Sequence, residues 1–217
     1  AGFLIEKEVR ELGKLLNPER PFAAIVAGAK EDKIGALKAL AKKADKILIG
    51  GVLANTFLKA KGINIGASKF DEQAFSAARG IMELAGEKLI LPADFIAADK
   101  FDNSASIKVV KPGNIPGGWM CLDIGPETIM GYEEHLKDAK TVFWAGPLGA
   151  FEMEKFSAGT KEIGEFICSL NTIAIAGGGD TTAAINAFKL ADRITHVSTG
   201  GGASLEFIEK DGKLPAL

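Results

Sequence analysis

Two triglycine turns constrain this chain more than any other feature. Thr172-Ile-Ala-Ile-Ala176 runs into Gly177-Gly178-Gly179 and then Asp180-Thr181-Thr182; Thr195-His-Val-Ser-Thr199 runs into Gly200-Gly201-Gly202 and then Ala203-Ser-Leu-Glu206. Each reads as strand, turn and helix start, with the residues from Asp180 to Thr182 as capping residues of the first helix. Glycine adopts φ > 0 at no steric cost and carries no Cβ, so its backbone can approach a ligand closely. The first amides of a helix are unpaired and partly positive, which makes such a turn a natural seat for an anion.

The same unit recurs along the chain. Phe22-Ala-Ala-Ile-Val-Ala27 meets Gly28-Ala29-Lys30 and a helical pattern through Ile34, Leu37 and Leu40; Lys46-Ile-Leu-Ile49 meets Gly50-Gly51; Lys88-Leu-Ile-Leu91 meets Pro92; Thr141-Val-Phe-Trp144 meets Gly146-Pro147. With the two triglycine units these make six short apolar strands, near 22–28, 46–50, 88–92, 141–145, 172–176 and 195–198. Apolar runs without alternation, separated by helical stretches, predict a parallel sheet covered on both faces: an α/β fold, doubly wound, with its glycine-rich ends on one edge. Ligands bind at that edge in open parallel sheets. Phe95 to Lys111 breaks the rhythm and predicts a small appended antiparallel hairpin, with Pro112 to Gly118 as a turn-rich connector. Ile5, Val9, Leu12 and Leu16 predict an amphipathic helix ended by Asn17-Pro18.

Composition narrows the function. Lys+Arg 26 against Asp+Glu 28 leaves a formal charge of −2, so no global field selects nucleic acid or a membrane surface. No run of about 18 apolar residues exists to span a bilayer, and the opening Ala1-Gly-Phe-Leu-Ile-Glu-Lys has neither the basic start nor the apolar length of a signal peptide, so the chain reads as cytoplasmic. Cys121 and Cys168 fit neither a metal spacing nor a disulfide framework and read as buried small hydrophobes. His135 and His196 lack partners for a triad or metal site and read as structural.

The P-loop pattern is absent, and the dinucleotide fingerprint fails at its third glycine, where Thr182 and Leu205 stand, which disfavours a nicotinamide enzyme. Lys30 and Lys33 begin the first helix three positions apart, on roughly one face. Paired ammonium groups beside phosphate seats suit phosphoryl transfer, whose charge spreads over equatorial oxygens; the plainer reading is a solvated face paired with Glu31 and Asp32. Asp180 is a hard-oxygen candidate for Mg²⁺ on phosphates, or an ordinary helix cap. Thr181 and Glu152 have similar standing.

Taken in order, Leu122-Asp-Ile-Gly-Pro126, Trp144-Ala-Gly-Pro-Leu-Gly-Ala-Phe-Glu152, Ala176-Gly-Gly-Gly-Asp-Thr181 and His196-Val-Ser-Thr-Gly-Gly-Gly-Ala-Ser204 resemble the C-terminal, nucleotide-binding half of phosphoglycerate kinase. The resemblance covers essentially the whole chain. Residues 1–17 resemble that family's interdomain hinge helix, and 18–217 its Rossmann-like nucleotide domain; the N-terminal substrate domain is absent. The family transfers a phosphoryl group between 1,3-bisphosphoglycerate and Mg-ADP, giving 3-phosphoglycerate and ATP in glycolysis. The resemblance implies that Lys30 and Lys33 neutralise phosphates, that Asp180 holds the metal, and that Thr181, Gly178 and Gly179 sit by the phosphate tail. Gly201 and Gly202 would offer amides to the transferred group. Adenine would lie near Gly28, Gly50, Gly51, Leu122 and Pro147, with Glu152 on the ribose.

This chain departs from the family pattern in three places. Ala27-Gly28-Ala29-Lys30 replaces Gly-Gly-Ala-Lys, and the two lysines stand three apart instead of four, a change that turns a helical side chain by about 100°. Ala145 replaces an asparagine whose amide would help hold the phosphates. The missing half would supply the basic patch for 3-phosphoglycerate and an arginine for the transition state, so the chain alone is expected to bind nucleotide without turnover. The alternative is a stand-alone module that holds adenine nucleotide and catalyses nothing.

Overall fold

The computed structural model describes residues 2–28 and 33–213. The chain opens with helix α1 (Gly2–Gly13), followed by β1 (Phe22–Val26), α2 (Lys33–Lys43), β2 (Lys46–Ile49), α3 (Gly51–Ala60), α4 (Phe75–Ala85) and β3 (Leu89–Ile90). Three strands come next, β4 (Phe95–Ala98), β5 (Ile107–Val110) and β6 (Met120–Ile124). The chain continues through α5 (Pro126–Leu136), β7 (Thr141–Ala145), α6 (Ala158–Ser169), β8 (Ile173–Gly177), α7 (Gly179–Ala187), β9 (His196–Val197) and α8 (Ala203–Glu209).

Six strands form one parallel sheet in the order β3-β2-β1-β7-β8-β9, as the unalternating apolar runs predict. The alternation hidden in those runs becomes visible once both faces are covered. Phe22, Ala24, Val26, Ile47, Ile49, Phe143 and Ile175 pack on one side with Leu37, Leu40, Phe57 and Phe207 of the helices. Ala23, Ile25, Leu48, Val142, Trp144 and Ala176 pack on the other with Tyr132, Leu136, Ile163, Ile167 and Ile185. Neither face meets water, so both parities of each strand are apolar. The edge strands β3 and β9 are two residues long, shorter than the runs that announce them; short edges leave little unpaired backbone.

The predicted hairpin is a three-stranded antiparallel sheet, in the order β5-β4-β6. Met120–Ile124 joins it as the third strand because its backbone completes the free side of β4. Helix α1 stops at Gly13 instead of reaching Leu16; the chain continues in i→i+3 turns, such as Leu15 N–H to Leu12 C=O at 2.9 Å, which still bury Leu12 and Leu15.

Candidate functional site

Register brings four strand ends level. Val26 pairs with Ile49 and Ala145, and Ala145 pairs with Gly177, so the turns after β1, β2, β7 and β8 emerge side by side. The order reverses between β1 and β7, which is where an open α/β sheet leaves a crevice. A cavity of about 520 Å³ opens there, within the range of small-ligand sites. Gly28, Gly51, Pro147 and Asp180 line it from the four turns, Leu122 comes from β6, and Glu152 from the loop after β7.

The crevice depends on backbone close approach. Gly51, with φ +62°, would put a Cβ 2.6 Å from the Gly28 amide nitrogen, so any other residue would push the first two turns apart. The third turn is held by side chains behind it: Gly146 N–H donates to Thr181 Oγ1 at 2.7 Å, Leu148 N–H to Thr160 Oγ1 at 3.0 Å, and Trp144 Nε1–H to the Gly146 carbonyl at 2.9 Å.

The other predicted residues stand around the cavity instead of lining it. Gly50 caps α3 and backs Leu148, a wall residue. Gly178, with φ +99°, is the N-cap of α7, without any side-chain cap. Asp180 is therefore the second residue of the helix and not its capping residue, an acidic side chain in the first turn. Thr181 is buried and serves the Gly146 turn. Gly201 and Gly202 follow β9 on the same sheet edge, exposed, just before α8. Ala145 is fully buried in the core. Lys30 lies outside the described residues. Lys33 is 6% exposed, so this side chain is not solvated: its ammonium donates to the Ala27 carbonyl and lies 2.7 Å from the place a Cβ would take on Gly28.

The rest of the wall escapes pattern reading. The small sheet contributes Phe95, Met120, Cys121 and Asp123, α3 contributes Asn55, and the segment between α3 and α4 contributes Lys69. Asp123 is 2% exposed, and its carboxyl accepts Ile124 N–H at 2.8 Å and Gly159 N–H at 2.9 Å. Burial pushes this carboxyl up to about 8, against the pull of the two amides and with help from the charge of Glu162. Burial also holds the Cys121 thiol up at about 11. Both cysteines are free and half-buried, a partial departure from the buried reading. The inner wall is thus neutral at pH 7, while Lys69, Glu152 and Asp180 are exposed at the rim. A neutral, largely apolar slot with a charged mouth suits a heterocycle carrying an anionic tail. A polar amide amid Leu53, Ala54, Phe57 and Leu58, and a carboxylate between Leu122 and Ile124, were the available signals for Asn55 and Asp123.

Away from the cavity, His196 Nε2 meets Glu8 Oε2 at 2.7 Å, and Ser198 Oγ–H donates to Glu8 Oε1, so α1 is tied to the end of β9. Among the described residues, no group of three His, Cys, Asp or Glu side chains could hold a metal by itself, and no helix is long and apolar enough to cross a membrane.

Comparison with known proteins gives a consistent result. The sequence profile described as phosphoglycerate kinase matches residues 1–211. The phosphoglycerate kinase of Limosilactobacillus reuteri is 52% identical over 220 residues, covering 100% of this chain and 54% of its own length. That of Latilactobacillus sakei is 51% identical over 212 residues, covering 96% and 52%. The structure of phosphoglycerate kinase from Coxiella burnetii superimposes with a TM-score of 0.91 at 40% identity, over 95% of this chain and 54% of that one. The chain thus spans about half the length of the curated relatives it matches.

Proposed function

Because this chain belongs to the phosphoglycerate kinase family, we propose that it is the nucleotide-binding half of a glycolytic phosphoglycerate kinase, holding Mg-ADP or Mg-ATP for phosphoryl exchange with 1,3-bisphosphoglycerate and 3-phosphoglycerate. One observation carries the reading: the turns after β1, β2, β7 and β8 converge on a single cavity with an apolar, neutral interior and a charged rim.

In this reading the base enters between Gly51, Leu122 and Pro147, and Glu152 meets the ribose at the mouth. The phosphates run toward the start of α7, whose first amides have no partner within the helix and whose cap offers no side chain to compete. Lys33, anchored on the Ala27 carbonyl, supplies fixed positive charge next to the Gly28 turn. Gly201 and Gly202 offer amides to the transferred group, and Lys30 adds a second cation. One carboxylate at the rim, Asp180, fits a Mg²⁺ ion, which takes most of its ligands from phosphate and water and needs no all-protein cage. When bound, the metal neutralises charge on the phosphates.

Phosphoryl transfer depends on positioning both reactants and on excluding water. This chain carries groups for the nucleotide only. The substrate domain that would bind 3-phosphoglycerate and close over the site belongs to the other half of the enzyme, which acts in the cytoplasm. Calorimetric titration with Mg-ADP followed by a coupled assay tests the reading. Binding without turnover is expected from the chain alone, and turnover on adding a separately made N-terminal half. Absence of nucleotide binding would overturn it; binding with no turnover after complementation would favour the non-catalytic module.

A further inference from the structure

Glu152 is exposed at the cavity mouth, yet the residues on either side of it are half-buried and pack in different directions. Met153 packs against the small cluster of Ala98, Ala105 and Phe156, at the end of β4. Phe151 turns to α7: its ring meets that of Phe188 edge-on, with centroids 6.1 Å apart and planes at 67°. This is an arrangement that aromatic quadrupoles favour. Phe151 stands outside the apolar clusters that cover the two faces of the main sheet, whereas Phe188 packs against one of them, so Phe188 is the fixed member of the pair.

Backbone bonds hold the rest of the loop. Ala150 N–H donates to the Leu122 carbonyl at 2.9 Å, Phe151 N–H turns back on the Gly149 carbonyl at 2.9 Å, and Met153 N–H donates to the Ala150 carbonyl at 3.0 Å. These bonds fix the base of the loop to β6 and close its tip on itself; on the α7 side the tip is held through the Phe151 ring.

Phe188 lies at the far end of the helix that brings Asp180 to the cavity. It is the C-cap of α7, with its N–H on the Ala184 carbonyl at 3.0 Å, and helical rise sets it about 12 Å from Asp180 along the axis. One short element thus fixes both acidic residues of the rim, Asp180 directly and Glu152 through a pair of rings.

Resting on the nucleotide reading above, we propose that Phe188 is a positioning residue for the ribose: by pinning Phe151 it presents the Glu152 carboxylate to the sugar hydroxyls, at a fixed place relative to the Asp180 end of α7. A carboxylate accepting from a hydroxyl makes a charge-assisted bond whose strength depends on placement. An unpinned tip keeps the carboxylate but must order it at the moment of binding, and that cost falls on the hydroxyl contacts.

The test compares ADP with 2′,3′-dideoxyadenosine 5′-diphosphate, which lacks the sugar hydroxyls, by calorimetry at fixed Mg²⁺. Wild type should bind ADP about tenfold more tightly, the size of one hydrogen bond to a charged group. In Phe188→Ala that preference should shrink to within about threefold, while the gain in ADP affinity on adding Mg²⁺ stays within about twofold of wild type, a split that general loosening of α7 would not give. Phe188→Tyr keeps the ring and should restore the preference. In a Glu152→Ala background, where the preference is already lost, Phe188→Ala should change it no further. A preference that survives Phe188→Ala, a Phe188 effect that persists without Glu152, or loss of the preference and the Mg²⁺ gain together would overturn the proposal. Equal binding of the two nucleotides by wild type would overturn it with nucleotide binding intact, and failure of wild type to bind ADP would overturn the nucleotide reading instead. If Phe188→Ala melts without cooperativity, Phe151→Leu removes the other ring and decides by the same criteria.

Discussion

Asp123 should make this protein less stable as pH rises toward neutrality, in a window where most carboxylates have finished titrating. Its carboxyl has an ordinary value of 3.8 and is pushed to about 8 by burial. Between these values the folded chain keeps the proton while the unfolded chain has lost it, so folding binds a proton and stability falls with pH. The contribution is fully present below about pH 4 and is lost as pH rises through about 8, at about 1.4 kcal/mol per unit. From pH 5 to pH 7 that is about 2.7 kcal/mol, or about 5–11 °C in melting temperature for a chain of this size. Denaturant unfolding at pH 5, 6 and 7, with wild type beside Asp123→Asn, isolates the group, because other titrations cancel in the difference. The variant should start lower at pH 5, since its NH₂ edge faces one of the two backbone donors from Ile124 and Gly159. Wild type should then lose about 2.7 kcal/mol relative to it by pH 7. A difference that stays constant from pH 5 to 7 would mean that Asp123 is ionised in the folded chain, and the account of a neutral inner wall would be wrong.

Three further outcomes are expected. Asp180→Ala should weaken binding of Mg-ADP more than binding of ADP with chelator present, because a hard carboxylate at the rim acts through the metal; equal weakening in calorimetry would assign it no metal role. Lys33→Ala should reduce affinity for ADP more than for adenosine, and an equal reduction for both would remove Lys33 from the phosphates. Gly51→Ala forces φ +62° on a residue with a Cβ and drives that Cβ against the Gly28 amide. It should lower unfolding stability by about 1–3 kcal/mol and raise the Kd for ADP, whereas unchanged values for both would mean that the β1 and β2 turns have room to separate.

The parallel sheet was legible because each strand is apolar on both parities, and the ligand edge because glycines cluster where those runs end. Pattern reading failed where the fold brings distant pieces together. The third strand of the small sheet, Met120–Ile124, has no clear period of its own and exists because β4 has a free side. Asn55 and Asp123 are single polar residues inside apolar stretches, and only their neighbours in space show that one reaches the Lys69 carbonyl and the other keeps a proton. Lys33 stands in a charged tetrapeptide that resembles a solvated helix start, yet it is buried and its ammonium donates to the Ala27 carbonyl at the end of β1. Asp180 follows three glycines as a capping residue would, but Gly178 with its positive φ takes that position and leaves the carboxylate two steps into the helix.

The pairing of β1 with β7 has a consequence for how the protein is made. Phe22 and Thr141 lie roughly 120 positions apart, and closing so long a loop delays non-local strand pairing. Before that pairing, the first three strands and their helices can collapse as a local unit, but Gly28 has no Pro147 opposite it and there is no crevice. Nucleotide capture during refolding should therefore lag behind the recovery of helical signal, and ADP present from the start should slow unfolding more than it speeds folding.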